Sequence, residues 1–482
     1  MSLSTALNIA QSSLLNTSIQ TSVVSRNVME QNNGDYSRRT AVVSSTAPGA
    51  RVVVIQRATS EQLFRQNLSA TSSWSAQSTI SGGLDRLDLS VNGVDGAMNP
   101  ASAITELQKA LQIYSASPSN RTLADNAVSA AQQVVRSLND GAAAIQTFRV
   151  EADQEIAASV DDLNSLLAQF KDVNDAIVAG TRAGRDVNDA LDQRDSLLKK
   201  ISEYVPISTF NRGDNDTVIM TTDGTTLFET VPRKVSFQPS AAYAPGAAGN
   251  QIYIDGVPLQ PGSGGNTTSG GKLAGLLQLR DDVAVTMQQQ LDEVARGLIT
   301  AFAETDPSGN LSDAAGLFTW PGAPAVPDDG TLINGLAGQI SINSAFVANS
   351  QLLRDGGANG AGYVHNTDGG ASYADLIIAY NDRLDQPMAF DTAAGNGDKA
   401  SLTGYASNSV GWFQGLRQDA SRASDSKEAL AVRTAEALSN DVGINVDMEM
   451  SNLLDLEHSY QASARLIQAV DDMLSALLAA VR

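Results

Sequence analysis

A chain of 482 residues with a formal charge of −21 has room for about three domains, and with no basic run to interrupt the acidity it offers no surface suited to nucleic acid. It has no cysteine and only two histidines, His365 and His458, which excludes disulfides and thiolate metal sites and leaves little for histidine catalysis. No run of about 18 apolar residues occurs, and the first Lys or Arg is Arg26, so the amino terminus has neither the basic head nor the apolar block of a secretory signal. The expectation is a chain that does not insert into a membrane and that would leave a cell without a cleaved signal.

Leu3, Leu7, Ala10, Leu14, Thr17, Thr21, Val24 and Val28 step by fours and threes, which predicts an amphipathic helix stopped by Asn32, Asn33 and Gly34. Residues 40–43 and 51–55 read as extended. A helical stretch over 60–89 is broken at 93–100. Pro100 then suits an early helical position, and the stripe Ile104, Leu107, Leu111 ends at Ser117, Pro118, Ser119 and Asn120. A long helix over 121–179 follows, with Ile156, Val160, Leu163, Leu167 and Phe170 on one face, then an amphipathic helix over 189–204. Past Val205 the pattern changes. Short β-rich runs at 217–222, 225–229, 234–238 and 251–254, separated by Gly, Pro and Asp, predict a small antiparallel sheet. A connector at 262–271 leads to a helix over 273–303, a Gly-rich region over 307–370 with a strand candidate at 339–342, and helices over 373–384 and 403–441.

The last stretch organises the rest. Leu453, Leu456, Tyr460, Ser463, Ile467, Val470, Leu474, Leu477 and Val481 form a heptad seam with one polar interruption, Ser463, on a helix of roughly 35 residues and 50 Å. Such a helix draws its stability from packing its apolar stripe on a partner. Because the first segment shares this periodicity, the termini are expected to pair and leave a folded body looped out between them. The fold expected is mainly α with smaller β-rich insertions and nested domains. Residues 1–59 and 442–482 would form a terminal coiled-coil assembly domain, 60–204, 272–304 and 371–441 a long helical bundle body, and 205–271 and 305–370 outer antiparallel β-rich and loop regions. The assembly seam would consist of Leu3, Leu7, Leu14, Val24, Val28, Leu453, Leu456, Tyr460, Ile467, Val470, Leu474, Leu477 and Val481.

Several local patterns invite a chemical reading and do not sustain it. Gly271 and Lys272 end a Gly-rich loop, but Asn266 and Leu273 stand where a phosphate-binding loop needs Gly and Ser or Thr. Gly395, Gly397 and Ala400 fit a loose dinucleotide fingerprint with no preceding strand. Arg212, Gly213 and Asp214 spell an integrin-type tripeptide within a turn. Asp214 and Asp216, like Asp328 and Asp329, lack the remaining ligands of a calcium loop. No catalytic, cofactor or metal site is assigned, and an enzyme is not expected.

Ser25, Arg26, Asn27 and Val28, followed by Asn32, Tyr36, Ser37 and Arg38, resemble the amino-terminal signature of the bacterial flagellar axial proteins, in the form carried by the hook-associated protein 1 family. Two departures are Gly34 and Asp35 where that family usually has Pro-Gly, and Glu30 in place of a usual Asn. Asn452, Leu453 and Leu454 with Tyr460, Gln461, Ala462, Ser463, Ala464 and Arg465 resemble the family's closing signature. The pieces 117–121 (SPSNR) and 191–198 (LDQRDSLL) resemble interior segments of it. The resemblance implies a structural subunit at the junction between hook and filament, polymerised through its terminal helices as a homo-oligomeric ring or short helical array. It further implies contacts with the hook protein and the second hook–filament junction protein, flagellar type III export, and a cytosolic chaperone on the carboxy-terminal segment. Alternatives from the same residues are another axial subunit (hook, distal rod or second junction protein), a secreted oligomeric enzyme, or an adhesin presenting the β region.

Overall fold

A computed structural model describes residues 3–46, 49–96 and 99–480. Helix α1 spans Leu3–Met29 and is followed by an antiparallel hairpin of β1 (Arg39–Thr46) and β2 (Gly49–Arg57), with a bulge at Val42/Val43. Next come α2 (Glu61–Asn92), α3 (Pro100–Ser115), α4 (Arg121–Arg182) and α5 (Asn188–Tyr204). The breaks between them are explicit in the residues. Asn99 caps α3 by accepting from the Ala101 amide at 2.8 Å with Pro100 in the first turn, and Asn120 caps α4 by accepting from the Thr122 amide at 3.1 Å. Helix α4 runs 62 residues, roughly 90 Å.

Two three-stranded antiparallel sheets come next, β3 (Ile207–Asn211), β4 (Thr217–Thr221) and β5 (Thr226–Phe228), then β6 (Val235–Ser236), β7 (Tyr253–Ile254) and β8 (Val257–Pro258). The helix expected over 273–303 is α6 (Lys272–Gln278) and α7 (Ala284–Ala301), joined through one wide π turn at Leu279–Val283. Beyond it lie the pair β9 (Phe318–Thr319) and β10 (Ser341–Ile342), then α8 (Ser344–Ala348), α9 (Leu352–Asp355) and α10 (Asp375–Asp385). A last small pair, β11 (Pro387–Ala389) and β12 (Lys399–Ser401), precedes α11 (Leu402–Val442) and α12 (Val446–Ala480). The architecture is mainly helical with small antiparallel sheets.

Two buried cores divide the body, and α4 threads both. The first gathers Ile80 to Val91 of α2, α3, the first half of α4 through Phe148, α7, α10 and the start of α11. The second gathers Ile156 to Phe170 of α4, α5, α6 and the strands β3 to β7. Between them on α4 sit Arg149 and Asp153, both buried. Arg280, in the π turn, donates to Asp153 Oδ1 at 2.5 Å and to the Asn250 carbonyl at 2.8 Å, while Arg149 donates to the Arg280 carbonyl at 3.1 Å. A fully desolvated charge persists only when paired and hydrogen-bonded, which is how this layer is built.

The cores cut across the partition expected from sequence. Residues 305–370 contribute Leu317, Phe318, Leu336, Ile340, Phe346 and Leu353 to the first core, and 205–271 contribute Ile219, Phe228 and Ile254 to the second. In 305–370 these side chains come mostly from single turns and short helices, and in 205–271 Ile219, Phe228 and Ile254 come from short strands. No described residue of 1–59 or 442–482 belongs to either core.

Candidate assembly surface

Helices α1 and α12 pair. The Ser13 and Ser463 hydroxyls lie 2.8 Å apart and Asn27 Nδ2 donates to Glu449 Oε2 at 3.1 Å. Between these contacts α1 advances from 13 to 27 while α12 retreats from 463 to 449, so the helices run antiparallel in constant register. The one polar position of the seam is thereby explained, since Ser463 is buried against a serine of the partner helix.

Of the expected seam, Val24 and Val470 are buried, and Leu3, Leu7, Leu14, Val28, Leu453, Leu456 and Ile467 are half-buried. Tyr460, Leu474 and Leu477, at 52%, 39% and 59% exposure, are not covered by α1. Leu474 and Leu477 share the inward phase, but in this register they lie beyond the residue facing Leu3. Val481 lies outside the described residues. Further apolar side chains stand on the outer faces of the pair, among them Leu15, Ile19, Leu454 and Leu466. Exposed apolar surface concentrated on one helical pair marks a surface for protein contact.

The amino-terminal signature folds into a hydrogen-bond hub at the other end of the pair. Asn27, fully buried, donates to the Arg39 carbonyl at 2.9 Å and to Glu449, and its Oδ1 accepts from the Tyr36 hydroxyl at 2.9 Å and the Arg39 amide at 3.1 Å. Asn27 therefore ties α1, the chain leading into β1 and the start of α12 into one unit. Asn16 extends the tie by accepting from the Val52 amide of β2 at 2.9 Å. Tyr36 and Ser37 are buried and Arg38 is half-buried, its amide donating to the Val442 carbonyl at 2.8 Å, whereas Asn32 is exposed. In the run 461–465 of the closing signature only Ser463 packs inward. Gln461, Ala462, Ala464 and Arg465 face outward.

Residues the periodicity did not single out complete the site. On α5, Asp189, Asp192 and Asp195 recur every three residues and meet three arginines. Asp189 Oδ1 accepts from Arg26 at 2.7 Å and from Arg39, Asp192 Oδ2 accepts from Arg39 at 3.0 Å, and Asp192 and Asp195 pair with Arg57. Burial raises Asp189, but the bonds from Arg26 and Arg39 outweigh it and hold the carboxyl below its ordinary value. Asp192 is the reverse case: burial dominates and lifts it above the usual range despite Arg57 and Arg39. The available signal was the acid spacing within the segment LDQRD, which puts carboxylates on one helical face. The Arg-Gly-Asp tripeptide lies in the turn between β3 and β4 with both charges engaged, Arg212 with Asp216 and Glu229, and Asp214 with Arg182 at 2.7 Å. Among the described residues no acidic or histidine cluster has metal-binding geometry, and no helix is long and apolar enough to cross a membrane.

Comparison with known proteins gives consistent matches. The family model for the helical domain of flagellar hook-associated protein FlgK matches residues 84–317, and that for the carboxy-terminal region of the flagellar basal body rod FlgEFG proteins matches 439–480. Flagellar hook-associated protein 1 of Bacillus subtilis (strain 168) is 24% identical over 385 residues, covering 72% of this chain and 69% of the relative. The protein of the same name from Escherichia coli (strain K12) is 25% identical over 358 residues, covering 67% and 61%. A solved structure of the flagellar hook junction protein FlgK from Burkholderia pseudomallei aligns with a TM-score of 0.42 at 20% identity, over 53% of this chain and 46% of that one.

Proposed function

The chain belongs to the flagellar hook-associated protein FlgK family, a family of structural proteins and not of enzymes, and from that premise we propose that it is a subunit of the junction between hook and filament. The observation that carries the reading is the match over 84–317, which is to the hook-associated helical domain in particular. The match at 439–480 is to a rod-protein region and by itself would suit other axial subunits equally. The body match therefore favours the junction over hook or rod.

Residues 1–59 and 442–482 form the assembly module in this reading. Leu454, Leu466, Leu474 and Leu477, exposed on the isolated chain, are buried on neighbouring copies, and successive heterologous contacts close a ring or a short helical array. The flanking partners are the hook protein on one side and the second junction protein on the other. Export proceeds through the flagellar apparatus. Before incorporation, a cytosolic chaperone covers the apolar outer face of α12, a face that otherwise promotes aggregation.

The test is location. Because the natural chain has no cysteine, a single introduced cysteine allows site-specific labelling. A labelled copy is expected as one focus between hook and filament on purified flagella. Label distributed along the filament, or along the hook, would overturn the assignment.

A further inference from the structure

The described residues of the terminal module contribute nothing to either apolar core, so its attachment to the body has a different basis. Covalent continuity is slight: the chain crosses at 58–60, between β2 and α2, and at 443–445, between α11 and α12. Among the described residues, the Arg38 amide donates to the Val442 carbonyl at the end of α11, and the side-chain contacts between module and body gather on one face of α5. There Arg26, Arg39 and Arg57, from three separate elements of the module, meet Asp189, Asp192 and Asp195. A reversed pair flanks them, Asp35 of the module with Lys199 at 3.1 Å and with the Ser196 hydroxyl at 2.8 Å. Asn188 also donates to the Ile55 carbonyl at 2.9 Å.

The centre of this contact is desolvated. The Arg39 and Arg57 side chains are 3% and 10% exposed, and that of Asp192 is 11% exposed. Apolar burial is non-directional and tolerates sliding, whereas guanidinium–carboxylate pairs hold only over a narrow range of distance and angle. Three arginines so paired, spread over α1, β1 and β2, leave little rotational freedom between the two bodies.

We infer that this arginine–aspartate clasp is an orientation lock, which fixes the angle of the terminal helix pair relative to the body without being needed for either part to fold. The inference goes beyond the assignment to the junction and is tested on the isolated chain, so its failure leaves that assignment standing.

The test uses cysteines introduced at Ser18 on α1 and Asp172 on α4, both exposed, in the cysteine-free chain. Spin labels there report the distance distribution between module and body by pulsed dipolar spectroscopy. The intact clasp should give one narrow distribution. Asp192→Asn with Asp195→Asn should broaden it at least twofold, while amide protection in α4 and α12 stays unchanged by hydrogen exchange. Asp195→Asn alone, at the more exposed pair, should broaden it less. Asp85→Asn, which removes a pair with Arg417 inside the body, is the control and should leave the width as it was. An unchanged width in the double variant, or equal broadening in the control, would overturn the inference. Loss of protection in both parts would also overturn it, since the clasp would then hold the fold and not the angle.

Discussion

Asn27 Nδ2 donates to Glu449 Oε2 across 422 residues of sequence, and both side chains are buried. The first and last helices are thus joined within one chain by a specific polar contact as well as by their apolar seam. Asn27→Ala removes all four bonds of the hub and strands the Glu449 carboxylate, the Tyr36 hydroxyl and both Arg39 backbone groups. Unsatisfied buried groups cost about 1–3 kcal/mol each and do not add independently, so a loss of about 3 kcal/mol in the terminal module is expected. Hydrogen exchange of α12 reads this directly. Asn32→Ala, at an exposed signature position, should change protection by less than about 0.5 kcal/mol.

Val470 and Leu474 share one heptad stripe but differ in surroundings: Val470 is 2% exposed against α1, Leu474 39%. Val470→Asp should therefore disrupt the helix pair in the monomer, at a cost of about 3 kcal/mol for lost burial and carboxylate desolvation. Leu474→Asp should leave the monomer's helicity and thermal transition unchanged yet abolish filament attachment. Gln468→Asp, exposed and off the stripe, should be mild in both assays. Circular dichroism of the purified monomers and electron microscopy of the three strains separate the cases. Normal filaments in the Leu474 strain would remove this end of α12 from the assembly surface.

Phe170 of α4 and Phe228 of β5 meet edge to face with ring centroids 5.0 Å apart at the centre of the second core. Deletion of residues 209–261 should therefore expose the distal half of α4 and yield insoluble protein, not a trimmed and functional subunit. The milder Phe228→Ala should cost about 3–5 kcal/mol. Protection should fall in α5 and the distal half of α4, with the first core around Phe302 and Phe318 retained. Uniform loss across both cores would show that they unfold as one unit.

Asp292 on α7 accepts from the Gly335 amide at 2.7 Å, the Ala337 amide at 2.8 Å and Gln288 at 2.9 Å. Burial outweighs these bonds and lifts its carboxyl to about 6. An acid whose folded value is raised binds its proton more tightly when folded, so it penalises the folded state at neutral pH. That penalty is relieved as the pH falls from about 6 toward 4. Wild type should thus gain stability relative to Asp292→Asn over that window, by up to about 3 kcal/mol for a shift of about two units. Denaturant titrations at pH 4, 5, 6 and 7 measure the difference, and a flat difference would remove Asp292 as its source.

The sequence by itself determined the helices and the pairing of the ends. Spacings of three and four are a local property of a helix and survive any arrangement around it, as Leu453, Leu456, Ile467 and Val470 demonstrate. Caps are equally local, and Asn99, Pro100 and Asn120 mark their helix starts without reference to the rest of the chain. Only the tertiary structure decided which stretch of the α12 stripe α1 covers. The heptad phase of Leu474 is the same as that of Val470, and coverage depends on an antiparallel register set by Ser13 and Asn27 far away in sequence. Tertiary structure likewise decided that 305–370 supplies Leu317, Phe318, Leu336, Ile340, Phe346 and Leu353 to the first core, because a glycine-rich chain carries no period from which its buried side can be inferred. The clasp is the plainest case: carboxylates spaced along α5 suit a solvated face as well as a buried one. Whether Arg39 and Arg57 reach them depends on where a hairpin some 140 residues earlier comes to rest, and no local rule relates the two.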